Sequence, residues 1–223
     1  MVEYVVPSNI DDRLLARGSK LLAGGGLVAV PTDTSWSIVC SFTSGEGIKK
    51  LRRLSGERDE RHFTLLCSDI SQFGEFCSLD NTRFRLIKRL SPGPYVFILK
   101  TLLGTEKALG LKRREIGIRI PDYPVPLALI KTLGCPLYSI TAKQGMVPGF
   151  EPEAAAPENL EPLELLPIPE EELFEGSWEL EAIDGVDLIL DPGEEQRRIF
   201  STILDISGDA VRMLRQGAGS WPV

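Results

Sequence analysis

Gly24-Gly25-Gly26-Leu27-Val28-Ala29-Val30-Pro31-Thr32-Asp33-Thr34-Ser35 is the stretch from which the fold is read. Three glycines stop a helix, four apolar residues follow, and a proline closes them. The apolar run has no polar alternation, so it predicts a strand buried on both faces. Thr32-Asp33-Thr34-Ser35 then leaves that strand as a polar loop. Upstream, Ile10, Leu14, Leu21 and Leu22 fall at helical spacing, with Ser8 or Asn9 as the expected cap and Asp11 and Asp12 in the first turn. Downstream, Ser44 is positioned to cap a helix carrying Ile48, Leu51 and Leu54.

The same alternation continues along the chain. Residues 63–67, 95–99, 116–120 and 137–140 read as strands, and so do 186–190, 201–206 and 210–214. Helical stretches fall near 69–76, 81–90 and 125–133, the last ending at Gly134. Ser91-Pro92-Gly93-Pro94 is a hard turn. This pattern predicts an α/β fold, an open sheet flanked by helices, formed by residues 1–223 as a single domain. Residues 145–182 stand apart in composition, with Pro148, Pro152, Pro157, Pro162, Pro167 and Pro169 and the run Glu170-Glu171-Glu172. They predict a Pro/Glu-rich loop or lid-like insertion rather than a second core.

Composition narrows the function classes. The 223 residues are 43% hydrophobic and 26% charged, which suits a folded globular chain with a core of its own. A net charge of −7 argues against a general nucleic-acid binder and leaves a local basic cleft open. Cys40, Cys67, Cys77 and Cys135 form no CxxC pair and His62 is the only histidine, so neither a zinc site nor a Ser/His/Asp triad is expected. Each cysteine sits in or beside an apolar run, as reduced core thiols do. The start Met-Val-Glu-Tyr lacks a signal-peptide pattern and no apolar run reaches the length that spans a bilayer; a cytoplasmic location away from membranes is the expectation.

Chemistry is sought in the loops at strand ends. Thr32, Asp33 and Thr34 follow one strand, Arg119 ends another, Ser139 and Thr141 end a third. Ser201 and Thr202 begin a fourth, and Arg215 follows the last. Hydroxyls and guanidiniums in such places suit a ligand bearing phosphate or carboxylate, although hydroxyls there also serve local backbone. No GxxxxGK[ST] loop is present. Lys49, Lys50, Arg52, Arg53, Arg58 and Arg61 make a basic stretch interrupted by Glu46, Glu57, Asp59 and Glu60. It reads either as a solvated helix face with ion pairs or as an edge facing phosphate or RNA.

Five segments together resemble the YrdC-like superfamily: 25–34 its PTDT opening, 91–94 its PGP turn, Gly117-Ile118-Arg119-Ile120-Pro121 its G-[VI]-R-[VI]-P motif, Ser201-Thr202-Ile203-Leu204-Asp205 its STVVD strand, and Leu214-Arg215-Gln216-Gly217 its L-R-x-G ending. They occur in family order over nearly the whole chain outside 145–182. Phe63-Thr64-Leu65-Leu66-Cys67 and the stretch from Asp80 to Leu90 resemble the YciO branch most. The resemblance implies a twisted mixed sheet with a concave, basic cleft that takes ATP with Mg²⁺, L-threonine and bicarbonate. It implies synthesis of threonylcarbamoyl-AMP and pyrophosphate on the way to modification of adenosine 37 of tRNA. It further implies that Thr32, Thr34, Trp36, Thr64 and Arg119 contact the amino acid, with Arg119 pairing a carboxylate or phosphate. Arg58, Ser139, Thr141, Lys143, Ser201 and Arg215 would line the nucleotide. No covalent catalytic residue is implied.

Several positions depart from the family pattern. Ser55 and Glu57 stand where the family has its K-x-R pair, Lys143 stands for an asparagine, and Val96 for a frequent threonine. Each lost charge-assisted contact costs about 1.5–3 kcal/mol, so reduced synthesis is one expectation. A non-catalytic protein that binds nucleotide, or double-stranded RNA or tRNA, on the same fold is the other.

Overall fold

The computed structural model describes residues 1–55, 63–103, 114–149 and 170–221. Its strands are β1 (Val2–Tyr4), β2 (Val28–Val30), β3 (Ser37–Ser41), β4 (Thr64–Leu66), β5 (Tyr95–Lys100), β6 (Glu115–Arg119), β7 (Leu137–Thr141), β8 (Leu188–Asp191), β9 (Thr202–Asp205) and β10 (Arg212–Arg215). They join in one sheet of order β1-β8-β2-β3-β7-β4-β6-β5-β9-β10. The sheet is mixed: β1 with β8, β2 with β8, β4 with β6 and β5 with β9 are parallel, and the other pairs are antiparallel. The helices are α1 (Asp12–Ala23), α2 (Gly45–Ser55), α3 (Ser71–Phe76), α4 (Asn81–Leu90), α5 (Pro124–Leu133) and α6 (Ser177–Leu180).

Side-chain alternation along the strands divides the interior in two. Ala29, Ile38, Cys40, Leu65, Phe97, Ile118, Tyr138 and Leu204 point to one face, packing with Leu51 of α2, Phe73 of α3 and Ile87 of α4. Val28, Val30, Val39, Leu66 and Leu137 point to the other, under Leu15 and Leu22 of α1 and Val125 and Leu129 of α5. The buried run 27–30 therefore meets apolar neighbours on both sides, which is why it shows no polar alternation.

Three local expectations are corrected. The cap of α1 is Asp11, not Ser8 or Asn9: its backbone is extended and its Oδ1 accepts from the Arg13 N–H at 2.8 Å. Strand β3 was hidden because serines bracket it; Ser37 and Ser41 are nevertheless buried between paired neighbours. The 145–182 stretch is not uniformly a loop off the surface. Leu173, Phe174 and Leu180 are buried, Met146 belongs to the same core cluster as Phe174 and Leu180, and Lys143 bridges to Leu173. Residues 150–169 of that stretch lie outside the described residues. Other signals stand as read: Ser44 Oγ accepts from the Gly47 N–H at 3.1 Å, and α5 ends at Gly134 with φ 78°. No helix among the described residues is long and apolar enough to cross a membrane.

Candidate functional site

One face of the central strands is lined by small polar groups. Ladder pairing places Val39, Ser139, Thr64 and Gly117 side by side across β3, β7, β4 and β6, with Ser37 beside Thr141 in the next row. Partners in register point the same way, so these side chains form a floor. The Ser139 hydroxyl donates to the Thr64 carbonyl at 3.1 Å. At Gly117 an added Cβ would lie 3.1 Å from Val96 Cγ1, so the glycine keeps this floor flat beside β5. Arg119 belongs to the same face, two residues further along β6 and level with Leu66 of β4.

The loop from β2 to β3 reaches Arg119 from a distance. Four strand steps separate β2 from β6, about 19 Å in a flat sheet. Even so, Arg119 NH2 donates to Asp33 Oδ1 at 2.5 Å and NH1 to Thr34 Oγ1 at 3.0 Å. The loop after β2 therefore crosses over the face carrying Arg119.

Arg119 is the junction of this face. Its Nε donates to the Gly93 carbonyl at 3.1 Å and NH1 also to Ser201 Oγ at 2.6 Å. The PGP turn, the β2–β3 loop and the start of β9 thus meet on one guanidinium. Burial pushes its pKa down and the Asp33 carboxylate opposes that shift. Arg215 joins from β10: its Nε and NH2 donate to the Ser201 carbonyl at 3.2 and 3.1 Å, and its guanidinium lies 4.7 Å from the Phe200 ring centre. Burial, then the charge of Arg119, lowers Arg215 to about 10. It remains a cation at neutral pH.

The expected site residues are therefore distributed unevenly. Thr34, Arg119, Ser201 and Arg215 converge directly. Thr64, Ser139 and Thr141 share the floor, and Lys143 follows at the end of β7, where the Ala142 N–H donates to the Trp36 carbonyl at 2.9 Å. Thr32 holds the loop: its Oγ1 donates to the Ser35 carbonyl at 2.6 Å and accepts from the Thr34 and Ser35 N–H groups. Trp36 corrects its expectation. It points with Ile38 and Cys40 into the opposite, core side of the sheet, is fully buried, and donates Nε1 to the Glu175 carbonyl at 3.2 Å. Strand alternation puts Ser37, not Trp36, on the face that carries Arg119. Arg58 lies outside the described residues.

Two participants went unassigned from sequence. Asp33 was visible only as part of a polar loop, yet a guanidinium buried in an apolar strand needs a carboxylate. Ser37 was hidden with its strand. Among the described residues no three His, Cys, Asp or Glu side chains converge into a metal-binding group. The described residues of this face offer hydroxyls and a cation, groups whose chemistry suits holding and orienting an anion.

Comparison with known proteins shows the family and the fold. Residues 20–161 match the Sua5/YciO/YrdC family, described as telomere recombination. The Escherichia coli protein YciO is 30% identical over 97% of this chain and 95% of its own. Its crystal structure superposes with a TM-score of 0.76, covering 99% of this chain and 97% of that one. Mouse threonylcarbamoyl-AMP synthase is 31% identical over 52% of this chain and 41% of its own length. The crystal structure of P. abyssi Sua5 complexed with L-threonine shares the fold at 17% identity, with a TM-score of 0.76 over 97% of this chain and 57% of that one.

Proposed function

The chain belongs to the Sua5/YciO/YrdC family, and from that premise we propose that its concave face binds ATP with L-threonine and makes threonylcarbamoyl-AMP, at reduced turnover. Threonine, bicarbonate and ATP give threonylcarbamoyl-AMP, pyrophosphate and water. One N–C bond forms as a C–O bond of bicarbonate breaks, its oxygen leaving as water; one P–O bond forms as the bond from the α-phosphorus to pyrophosphate breaks. The product would serve modification of tRNA. The observation that carries this reading is the junction of Thr34, Arg119, Ser201 and Arg215 beside the hydroxyl floor.

Such a reaction asks the protein mainly to align two anions and to spread charge on the leaving pyrophosphate. Thr64, Ser139 and Thr141 supply hydroxyls along the floor. Thr32 and Thr34 fix the loop that closes it, Arg215 supplies a cation, and Lys143 with Arg58 adds charge on the nucleotide side. Mg²⁺ would enter on the triphosphate and neutralise part of its charge. Its coordination by phosphate fits a face whose described residues present hydroxyls rather than clustered carboxylates.

A second reading is favoured by Ser55 and Glu57, which stand where the family has two cations. In it the same face binds nucleotide, or double-stranded RNA or tRNA, without synthesis. Incubation with ATP, Mg²⁺, bicarbonate and threonine, followed by mass spectrometry, separates the two. Threonylcarbamoyl-AMP and pyrophosphate above a threonine-free control support synthesis. ATP that raises the melting temperature without product supports the binding role and removes the synthase reading.

A further inference from the structure

Strand β1 closes the end of the sheet opposite β10 and pairs with β8 alone. The Met1 carbonyl accepts from the Ile189 N–H at 2.8 Å, and the Val5 N–H donates to the Asp191 carbonyl at 2.7 Å. In a parallel ladder alternate residues turn both backbone groups to the same neighbour. Met1, Glu3 and Val5 therefore serve β8, and the N–H and C=O groups of Val2 and Tyr4 face outward. Two aromatic side chains stand exposed here, Tyr4 at 65% and Trp178 at 62%. Both are seated on glycines: a Cβ added at Gly193 would lie 2.5 Å from Tyr4 Cε2, and one at Gly176 2.0 Å from Trp178 Cζ3. Asp191 joins the two seats, taking the Gly193 N–H on Oδ1 and the Ser177 hydroxyl on Oδ2, each at 2.8 Å.

The charge around this edge is negative. Glu181 and Asp184 precede β8 and Glu194 and Glu195 follow it, so exposed carboxylates stand at both ends of the strand that carries β1. None of the four is in an ion pair among the described residues, whereas the cations Arg17 and Arg198 are paired with Glu3 and Glu175. Arg197 is the further cation of the loop that carries Glu194 and Glu195. A second copy paired edge to edge about a two-fold axis would set this rim against itself, in a chain whose net charge is already −7. The complementary occupant is basic.

We propose that β1 is a docking edge for an extended segment of a partner protein that alternates Lys or Arg with apolar residues, and that this segment adds to the sheet as a further strand. Its backbone pairs with Val2 and Tyr4, its apolar side chains lie against the Tyr4 and Trp178 rings, and its cations meet the carboxylate rim. A three-residue edge offers few backbone hydrogen bonds, so the two preseated aromatic rings supply the anchor. The edge lies six strand steps from β6 and Arg119, so docking leaves the small-molecule face uncovered.

The test is fluorescence anisotropy of a labelled peptide of about six residues that alternates lysine with valine, titrated with the full chain at low salt. Two control peptides carry glutamate for lysine, or N-methyl groups on alternate backbone nitrogens. The lysine peptide should bind and weaken as salt rises; the glutamate peptide should not bind, and the N-methylated peptide should bind about tenfold more weakly or less well still. Tyr4→Ala and Trp178→Ala should each weaken binding about tenfold. Both side chains are exposed, and melting curves check that each variant is folded. No binding of the lysine peptide, equal binding of the glutamate peptide, or folded variants that bind as the parent does would each overturn the proposal. Equal binding of the N-methylated peptide would overturn strand addition. A dimer of the parent in sedimentation velocity that Tyr4→Ala dissociates would give the edge to a second copy and overturn the proposal as well.

Discussion

Trp36 and Glu175 lie 139 positions apart and share a hydrogen bond, indole Nε1 to backbone carbonyl, at 3.2 Å. The same carbonyl accepts from the Gln196 N–H at 2.8 Å. One oxygen thereby ties the end of the β2–β3 loop to the segment before α6 and to the approach to β9. Trp36→Phe keeps most of the ring and loses the donor, leaving a carbonyl with one partner fewer. Its expected cost is about 1–3 kcal/mol by urea denaturation; Trp36→Ala should cost about 3–5 kcal/mol. The ring faces the core side, so threonine affinity of the Phe variant should equal the parent's. A lost affinity with an unchanged urea midpoint would put the indole in the site.

Gly217 has no room for a side chain. An added Cβ would fall 2.1 Å from the Phe200 carbonyl oxygen and 2.6 Å from the Ser201 carbonyl carbon. Both are backbone atoms, and Ser201 carries Arg119 and Arg215. Gly217→Ala should cost about 1–3 kcal/mol and weaken pyrophosphate binding with it. Gly145→Ala meets nothing within 4 Å and is the control. Equal stability of the two variants would contradict the crowding.

Thiol labelling should be selective. Burial pushes Cys40 and Cys77 up to about 12, and burial, with smaller contributions led by Cys77, raises Cys67 well above its ordinary value. Thiolate is the nucleophile, so these three are shielded both by access and by protonation. Cys135 is partly exposed. At pH 8 iodoacetamide should modify Cys135 first, and the others only after denaturation; early labelling of Cys67 would contradict the packing of β4.

Asp205 should carry part of the acid sensitivity. Burial is the largest influence on its carboxyl and pushes it up, but the Ser207 hydroxyl and N–H and the Arg212 guanidinium outweigh it, so the pKa lies below the ordinary 3.8. A carboxyl depressed on folding stabilises above the unfolded value, and that stabilisation is lost as pH falls through the folded one. Ser207→Ala removes a 2.7 Å donor to Asp205 Oδ1. It should cost about 1 kcal/mol at pH 6, and the difference from the parent should shrink below pH 3.8. A gap that stays constant down to pH 2 would show that Ser207 acts on something else.

Much of this architecture was legible because local chemistry and tertiary environment agree. Leu27-Val28-Ala29-Val30 is apolar throughout and is buried on both faces; Gly134 follows α5 and takes the left-handed conformation. Sequence failed where polarity and burial part company. Ser37 and Ser41 are buried, so β3 did not read as a strand, and with it went the alternation that sends Trp36 to the core. Arg119, Ser201 and Arg215 could be nominated one by one from strand ends and family motifs. Their convergence could not, because it depends on strand order and loop path that join residues more than 80 positions apart. The partner of Arg119 was missed for the same reason: nothing local distinguishes Asp33 from a solvated loop residue.

The bridge between Lys143 and Leu173 has a practical consequence for engineering. The bridge holds the two flanks of residues 150–169 together, so a segment of another length would join ends that are already fixed. Closing such an excursion costs free energy that grows only with the logarithm of its length, about 0.6 kcal/mol per doubling. A reporter peptide or a shortened replacement spliced between 150 and 169 should therefore be accepted with little change in stability.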